Sequence, residues 1–278
     1  MESRIVRGVS VPAFIYGTAW KEARTEDLVR QALHAGMRGV DTANQRRHYV
    51  EAAVGDAMAA ATSEGALTRS EVFLQTKFTF AGGQDHRIPY DPRLDSGAQV
   101  RQSFESSLEH LRTTYVDSYI LHGPSSRHGL TDADWMVWRA MEELQRTSKA
   151  RLIGVSNVSL EQLTRLQKDA EIKPAFVQNR CFASTGWDRE VRAFCGEHDI
   201  AYQGFSLLTA NAHALAATAV TRIAERTRRS PAQVVFRFAL QVGMLPLTGT
   251  SSALHLREDL AVFDFELTSG DVHAIENL

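Results

Sequence analysis

The sequence is poor in cysteine, has no strong surplus of charge and contains no long apolar segment. Cys181 and Cys195 are its only cysteines, which excludes a disulfide framework and indicates a reducing compartment. The net charge of -2 favours neither nucleic acid nor an anionic membrane as a partner. No stretch approaches the roughly 18 apolar residues of a membrane span, and the N-terminus lacks a signal-peptide run. We therefore expect a soluble, cytoplasmic protein without nucleic-acid or membrane partners.

Motifs of metal and flavin sites are also missing. The ten histidines show no metal-ligand spacing, and HExxH does not occur. No glycine fingerprint of a flavin site is found either. We therefore expect no metal site, and any redox chemistry would need another kind of hydride carrier.

What the sequence does contain is a regular alternation of short apolar strands and amphipathic helices. After residues 1–12, which are expected to form a hairpin or cap, eight strands are predicted at 14–18, 39–41, 72–78, 116–122, 152–156, 176–178, 202–205 and 245–248. Strict alternation predicts parallel strands with right-handed crossovers. Eight units in 278 residues favour one α/β domain over 1–278, a closed (β/α)8 TIM barrel with an N-terminal hairpin and an extra C-terminal helix.

Helix boundaries have local signals. Thr25 is expected to cap the first helix, and Gly36 to end it. Ser159 and Gln162 have the spacing of a capping box, and Ser230-Pro231 begins a later helix in the same way. One helix is predicted from Asp134 to about Arg146, and another over 213–226.

Four ionisable residues fall at or just beyond predicted strand ends. Asp41, Lys77 and His122 each end a strand, and Tyr49 lies in the loop after Asp41. In a parallel barrel the carboxyl ends of all strands meet at one face, which is the functional face. The strand pattern does not depend on these residues, so their shared position at strand ends is independent support for a common site. We expect all four side chains to meet there.

These four groups suit proton donation to a carbonyl oxygen. A tyrosine hydroxyl has a pKa of about 10, and a neighbouring lysine cation is expected to lower the pKa of Tyr49. Asp41 would hold Lys77 charged, and His122 would hydrogen-bond the substrate oxygen. Together they form a general acid that can protonate a carbonyl oxygen as it becomes an alkoxide. Such a reaction also requires a hydride donor.

Each residue alone also has an ordinary structural explanation. Asp41 could cap a turn, Tyr49 could pack half-buried, and His122 could be a satisfied core histidine. Lys77 is harder to explain, because lysine is rarely buried without a partner. Their joint position favours the functional interpretation.

The ordered motifs resemble the aldo-keto reductase family over nearly the whole chain. The matching segments are 17–20, 41–43 with Tyr49 ahead of 51–55, 76–77, 117–124, 154–157, Gln178, 204–206 and 230–234. The resemblance implies reversible NAD(P)H-dependent reduction of an aldehyde or ketone to an alcohol, without a Rossmann fold. It implies Tyr49 as the general acid, Lys77 and Asp41 as its tuning pair, and His122 as the group that orients the carbonyl.

The resemblance also implies a cofactor site at the same face. Ser156, Asn157 and Gln178 would hold the nicotinamide carboxamide, and Phe205 would stack on its ring. Ser206 and Leu208 would lie along the pyrophosphate. The other expected cofactor contacts are Thr18, Ala19, Trp20, Asp41, Gly249, Thr250, Ser251, His255, Glu258 and Asp259.

Two departures from the family pattern concern these sites. Tyr49 follows Asp41 by eight residues where five is the commoner spacing, so the insert 45–47 must bulge. The family usually has Lys-Ser after the last strand and then an arginine, which hold the 2'-phosphate. Here the segment is Gly249-Thr250-Ser251-Ser252, and His255 stands where the arginine is expected. NADPH is expected, but NADH stays possible.

A third departure concerns the substrate pocket. The chain stops soon after its last helix, so we expect an open pocket shaped by 79–96, 123–131 and the loop after Phe205. Candidate substrate contacts are the aromatic residues Trp20, Phe80, Tyr90 and Trp187. The partner is expected to be a small carbonyl compound, whose identity and the reaction direction stay open, and the family favours a monomer.

Two other functions are compatible with parts of the sequence. The fold could bind NADP(H) as a sensor or regulatory protein with little turnover, against which the intact set of four residues argues. A barrel hydrolase would need paired carboxylates at strand ends, and Asp41 has no obvious second carboxylate beside it.

Overall fold

The structure, a computed structural model that describes residues 2–278, has the predicted barrel architecture. An N-terminal hairpin is formed by β1 (Ser3–Val6) and β2 (Val9–Pro12). Eight parallel strands then close the barrel: β3 (Ile15–Gly17), β4 (Gly39–Asp41), β5 (Phe73–Phe78), β6 (Val116–Leu121), β7 (Ala150–Ser156), β8 (Phe176–Arg180), β9 (Ala201–Phe205) and β10 (Leu245–Thr248). They follow one another in chain order around the barrel, and β10 pairs with β3 to close it.

Helices surround these strands. Their bounds are α1 (Thr25–Ala35), α2 (Glu51–Ser63), α3 (Ser96–Leu111), α4 (Asp132–Arg146), α5 (Leu160–Asp169), α6 (Arg189–Glu197), α7 (Ala212–Leu215), α8 (Thr218–Thr227), α9 (Pro231–Gln241), α10 (Ala253–Leu260) and α11 (Ser269–Glu276). The helical segments of residues 2–278 include none with the length and apolarity to cross a bilayer.

Two apolar cores hold the barrel together. The larger core lies between the strands and the surrounding helices, and it includes the fully buried Trp138 and Phe104. The smaller core fills the barrel interior, where Phe73 and Phe176 pack with valines of the N-terminal hairpin. Because the hairpin residues join this inner core, the barrel is filled at that end, and ligands can reach only the opposite, carboxyl end.

Several local signals are confirmed. The Ser159–Gln162 and Ser230–Gln233 capping boxes both form, with backbone N–H groups bonded to the cap hydroxyls at 3.2 and 3.3 Å. Gly36 ends α1 at φ 109°, a left-handed conformation that glycine adopts without a steric penalty.

Three helix predictions need correction. The helix predicted over 213–226 is two helices, because Ala217 is extended (ψ 141°) and redirects the chain between α7 and α8. The fourth helix begins earlier than its predicted start at Asp134, since Thr131 and Asp134 form a capping box. Thr25 does not cap α1; its hydroxyl instead donates to the Glu22 carbonyl at 2.8 Å.

Gly154 provides a test of how tightly the barrel is packed. A Cβ at this position would lie 2.6 Å from both the Phe176 carbonyl oxygen and the Ile120 Cδ1 atom. We therefore expect Gly154→Ala to lower the free energy of unfolding by about 1–3 kcal/mol, as overpacking does. Thermal and urea unfolding measure the change.

Gly196 is the matched control for this substitution. It lies in α6, and a Cβ there would meet nothing within 4 Å. Gly196→Ala should leave stability unchanged or raise it by up to about 1 kcal/mol, because alanine favours the helix. If Gly154→Ala proved as harmless as Gly196→Ala, the described strand packing would be wrong.

Candidate active site

A cavity of about 1240 Å³ opens at the carboxyl end of the barrel. Asp41, Tyr49 and His122 lie on its wall, and Lys77 lies beneath them with no exposed surface. The cavity is larger than the roughly 300–1,000 Å³ of most small-molecule sites. The four residues that sequence reasoning selected therefore share one barrel mouth with space for a large ligand.

Lys77 and Asp41 form a buried ion pair. Asp41 ends β4, and Lys77 extends inward from the neighbouring strand β5. The Lys77 Nζ atom lies 2.6 and 2.7 Å from the two Asp41 carboxylate oxygens, and it also donates to the Thr42 carbonyl at 2.7 Å. All three N–H groups of Lys77 thus have acceptors, as a buried ammonium requires.

Tyr49 lies next to this pair without a hydrogen bond to it. The Lys77 Nζ atom is 5.2 Å from the centre of the Tyr49 ring. Burial, and secondarily the Asp41 charge, raise the pKa of Tyr49 above its ordinary value. The expectation that Lys77 lowers this pKa is therefore wrong for this structure, because the Lys77 protons are directed at Asp41 and Thr42. Tyr49 is held in its protonated form.

His122 packs edge-on against Tyr49, with ring centres 5.9 Å apart. Its Nδ1 atom lies 2.7 Å from the Thr79 hydroxyl. Burial, and then the charge of Lys77, lower the pKa of His122 to about 3, so the imidazole is neutral. If the Thr79 hydroxyl donates to Nδ1, the His122 proton resides on Nε2 and is free to donate to a ligand. No sequence signal marked Thr79, because a hydroxyl just beyond a strand is unremarkable.

The insert before Tyr49 does bulge, and the long loop after β5 braces it. Gln84 donates to the Asn44 carbonyl at 2.9 Å, and Gln45 donates to the Gly83 carbonyl at 2.7 Å. Arg87 reaches the backbone of the insert as well, at the Arg46 carbonyl. These hydrogen bonds join the longer Asp41–Tyr49 segment to the long 79–96 loop, so the two loops support each other.

His48 also lies on the cavity wall. Its ring packs against the Trp20 ring at a tilt of 37°, with centres 3.9 Å apart, and its carbonyl accepts from the Trp20 backbone N–H at 2.8 Å. Trp20 is 70% exposed and forms part of the mouth.

Nearly all residues expected at the cofactor line this cavity. The structure places on its wall Ala19, Trp20, Asp41, Ser156, Asn157, Gln178, Phe205, Ser206, Leu208, Gly249, Thr250, Ser251, His255, Glu258 and Asp259. Thr18 is the exception: it is fully buried, and its hydroxyl donates to the Asp41 carbonyl at 3.0 Å. The expectation of a cofactor contact from the Thr18 side chain is therefore corrected to support of the β4 end.

Three cations on the wall, Lys21, Arg24 and Arg180, were missed in the sequence. Lys21 donates to the Gly249 carbonyl at 2.7 Å, and burial lowers its pKa to about 8. Arg24 lies on the same wall. Asp259 lies on this wall as well. Burial raises its pKa to about 6, and Thr248 donates to its carboxylate at 2.7 Å. Lys21 and Arg24 follow Trp20 ahead of the first helix, where no periodic pattern marks them as site residues.

Of the four aromatic candidates for substrate contact, two line the cavity and two do not. Trp20 and Phe80 line the cavity. Tyr90 does not: it is buried, and its hydroxyl donates to the Thr79 carbonyl at 2.8 Å. Trp187 is fully buried against Phe238 and donates to the carbonyl of Ile275 in α11. The expectation of substrate contact is therefore corrected for Tyr90 and Trp187, which are packing residues.

Comparison with known proteins gives the family. The sequence model of the aldo/keto reductase family matches residues 14–278. The chain is 31% identical over 277 residues to the glyoxal reductase of Bacillus subtilis, covering 99% of this chain and 91% of that protein. It is 29% identical over 302 residues to the NADPH-dependent alpha-keto amide reductase of Saccharomyces cerevisiae, covering 98% and 88%.

A solved structure agrees with these relatives. An aldo/keto reductase from Brucella melitensis superposes with a TM-score of 0.83 at 28% identity, covering 99% of this chain and 97% of that one. The fold is thus that of an aldo/keto reductase barrel. The chain belongs to the aldo/keto reductase family, whose members use NAD(P)H.

The ionisation of His122 is a direct test of the site. We expect its imidazole to stay neutral from about pH 5 to 9, since burial and Lys77 oppose protonation. Side-chain ¹⁵N NMR reports this state, with signals assigned through His122→Gln. His110 is the internal control, because its hydrogen bond to Glu51 raises its pKa above 6.5. A His122 signal that titrates near neutral pH would contradict the described environment.

Proposed function

We propose that this protein is an NAD(P)H-dependent carbonyl reductase, which reduces an aldehyde or ketone to an alcohol and catalyses the reverse reaction as well. The observation that carries the proposal is the pair of Tyr49 and His122, side by side on the cavity wall directly above the buried Lys77–Asp41 pair. A small carbonyl compound is the proposed substrate, and a monomer stays the expectation.

The residues of the wall suit a nicotinamide. Phe205 is a half-buried aromatic residue of the wall, and Gln178 lines the wall with a side-chain oxygen that has no hydrogen-bond partner among residues 2–278. Asn157 donates to the His122 carbonyl at 2.8 Å and links this region to the proton donor. Phe205 would stack on the ring, and Ser156, Asn157 and Gln178 would hold its carboxamide. When bound, the reduced nicotinamide would supply hydride to the carbonyl carbon.

The protein's own residues would handle the proton. His122 would orient the carbonyl by donating from Nε2 to its oxygen. As that oxygen becomes an alkoxide, the Tyr49 O–H bond breaks and its proton forms the alcohol. The resulting phenolate would be stabilised by the charge of Lys77, whose Nζ atom lies 5.2 Å from the ring centre. The raised pKa of Tyr49 keeps this proton in place until an alkoxide forms.

Removing the Tyr49 hydroxyl tests this role. We expect Tyr49→Phe to retain cofactor affinity and to lower kcat by about 10²–10⁴-fold, the usual contribution of a general acid. Steady-state cofactor oxidation with an aldehyde panel measures turnover. The panel should include glyoxal, since a relative is named for it. Calorimetry measures cofactor affinity.

The same assays separate the enzyme from a sensor. Tight cofactor binding by the unaltered protein without turnover on any carbonyl compound would favour the sensor. Normal turnover by Tyr49→Phe would eliminate Tyr49 as the acid. Phe80→Tyr, on the same wall, controls for the effect of altering an aromatic residue near the substrate.

The preference between the two cofactors is proposed to depend on the loop after β10. Thr250, Ser251 and His255 would face the 2'-phosphate, and Lys21 and Arg24 provide positive charge on the same cavity wall. These groups favour NADPH even though the usual lysine and arginine are replaced. NADH stays a possible substitute because no cation of the loop itself is fixed at this place.

His255→Arg tests the position of the phosphate. We expect it to increase the NADPH over NADH affinity ratio by about 5–30-fold, because a charged hydrogen bond is added at the phosphate. Calorimetric titration with both cofactors gives the ratio. His213→Arg, which adds the same charge at an exposed site in α7, should leave the ratio unchanged. An unchanged ratio in His255→Arg would show that the 2'-phosphate lies elsewhere.

A further inference from the structure

Three glutamines form a hydrogen-bonded layer inside the barrel, directly beneath the cavity. Gln75, Gln178 and Gln203 come from β5, β8 and β9, and none is more than 3% exposed. Each is two residues nearer the mouth than an apolar residue of the inner core, respectively Phe73, Phe176 and Ala201. Buried amides need partners for both their N–H groups and their oxygen, so the layer must satisfy itself.

Asp41 determines which way two of these amides face. Its Oδ1 atom accepts from the Gln75 Nε2 at 2.7 Å and from the Gln178 Nε2 at 3.1 Å. An ionised carboxylate accepts hydrogen bonds and donates none. Turning either amide by 180° would place its oxygen against the carboxylate. The pairing of Asp41 with Lys77 therefore sets the orientation of both glutamines.

Gln203 takes the remaining protons of these two amides. Its Oε1 atom accepts from the Nε2 atoms of Gln75 and Gln178, each at 2.8 Å. Its own Nε2 donates back to the Gln75 oxygen at 3.0 Å. Both N–H groups of Gln178 are thus used within the layer. Only the side-chain oxygen of Gln178 is left, and no donor in residues 2–278 bonds to it.

We propose that Gln75 and Gln203 are positioning residues that hold Gln178 with its oxygen, and not its nitrogen, towards the cavity. The inference rests on the proposed cofactor, because the ligand that this oxygen would receive is the N–H of a nicotinamide carboxamide. It adds a specificity: the site selects a ring substituent that donates a hydrogen bond over one that only accepts.

A purely structural role for the layer has a different consequence. Apolar side chains of similar size could fill this part of the barrel without the need for any partner. If the layer only filled space, breaking it would alter stability and leave the choice between cofactors unchanged. A measurement of cofactor discrimination therefore separates positioning from packing.

The experiment compares the reduced cofactor with its 3-acetylpyridine analogue, in which an acetyl group replaces the carboxamide and removes the N–H donor. Calorimetry on the full chain gives both dissociation constants. We expect the unaltered protein to prefer the carboxamide by about tenfold, since the analogue leaves the Gln178 oxygen unpaired. In Gln203→Met, Gln178 keeps only its 3.1 Å hydrogen bond to Asp41 and is left with an unpaired N–H, so its side chain is held less firmly. The preference should then fall to about twofold or less.

Two further variants make the comparison specific. Gln203→Glu introduces a carboxyl group that stays neutral beside Asp41 and can make the same three hydrogen bonds, so the preference should be retained. Gln178→Met removes the oxygen itself and should abolish the preference. Thermal unfolding verifies that each variant is folded. If Gln203→Met does not fold, Gln75→Met disrupts the same layer from its other side, with the same expected loss.

The outcomes separate this inference from the proposed function. A preference in Gln203→Met equal to that of the unaltered protein would overturn the positioning role. No preference in the unaltered protein would show that Gln178 does not receive the carboxamide. Failure of the unaltered protein to bind either NADPH or NADH would overturn the proposed function itself, a result that is visible before any variant is made.

Discussion

The buried pair of Lys77 and Asp41 is the interaction on which the rest of the site depends. Moving two charges out of water costs several kcal/mol per ion, even after relaxation. Here the cost is offset by the 2.6 Å contact between Lys77 Nζ and Asp41 Oδ1, and by hydrogen bonds between each ion and neutral groups. Lys77 also bonds the Thr42 carbonyl, and Asp41 also accepts from two glutamines. Burial lowers the pKa of Lys77 and Asp41 opposes that shift, so the two charges depend on each other.

The ion pair is held by strands, whereas the groups above it come largely from loops. Asp41 and Lys77 lie on adjacent, hydrogen-bonded strands of a closed barrel. Tyr49, in contrast, reaches its place through an inserted segment that the loop after β5 supports. The strands thus hold the charged pair beneath the cavity, and the loops supply the groups proposed to contact the substrate. This division is typical of barrels, whose loops vary while their strands persist.

Much of this arrangement can be predicted from the sequence. The rest depends on contacts that exist only once the barrel has closed. Strand ends and the common face of Asp41, Lys77 and His122 are readable because parallel topology forces them together. The amide layer is not readable, since Gln75 and Gln203 could equally face solvent until the barrel closes. Trp187 shows the same limit, because an aromatic residue near a strand end suits a core as well as a pocket. The raised pKa of Tyr49 was missed because the sequence does not show where the Lys77 protons point.

The most direct test of the central pair is a double-mutant cycle on the free energy of unfolding. Urea denaturation of Lys77→Met should show a loss of about 3–5 kcal/mol, because the Asp41 carboxylate is left buried without its cation. Adding Asp41→Asn removes that charge, keeps an acceptor for the glutamines, and should recover most of the loss. Additive losses in the double variant, or an unaffected Lys77→Met, would contradict the claim that these two charges hold each other in the barrel.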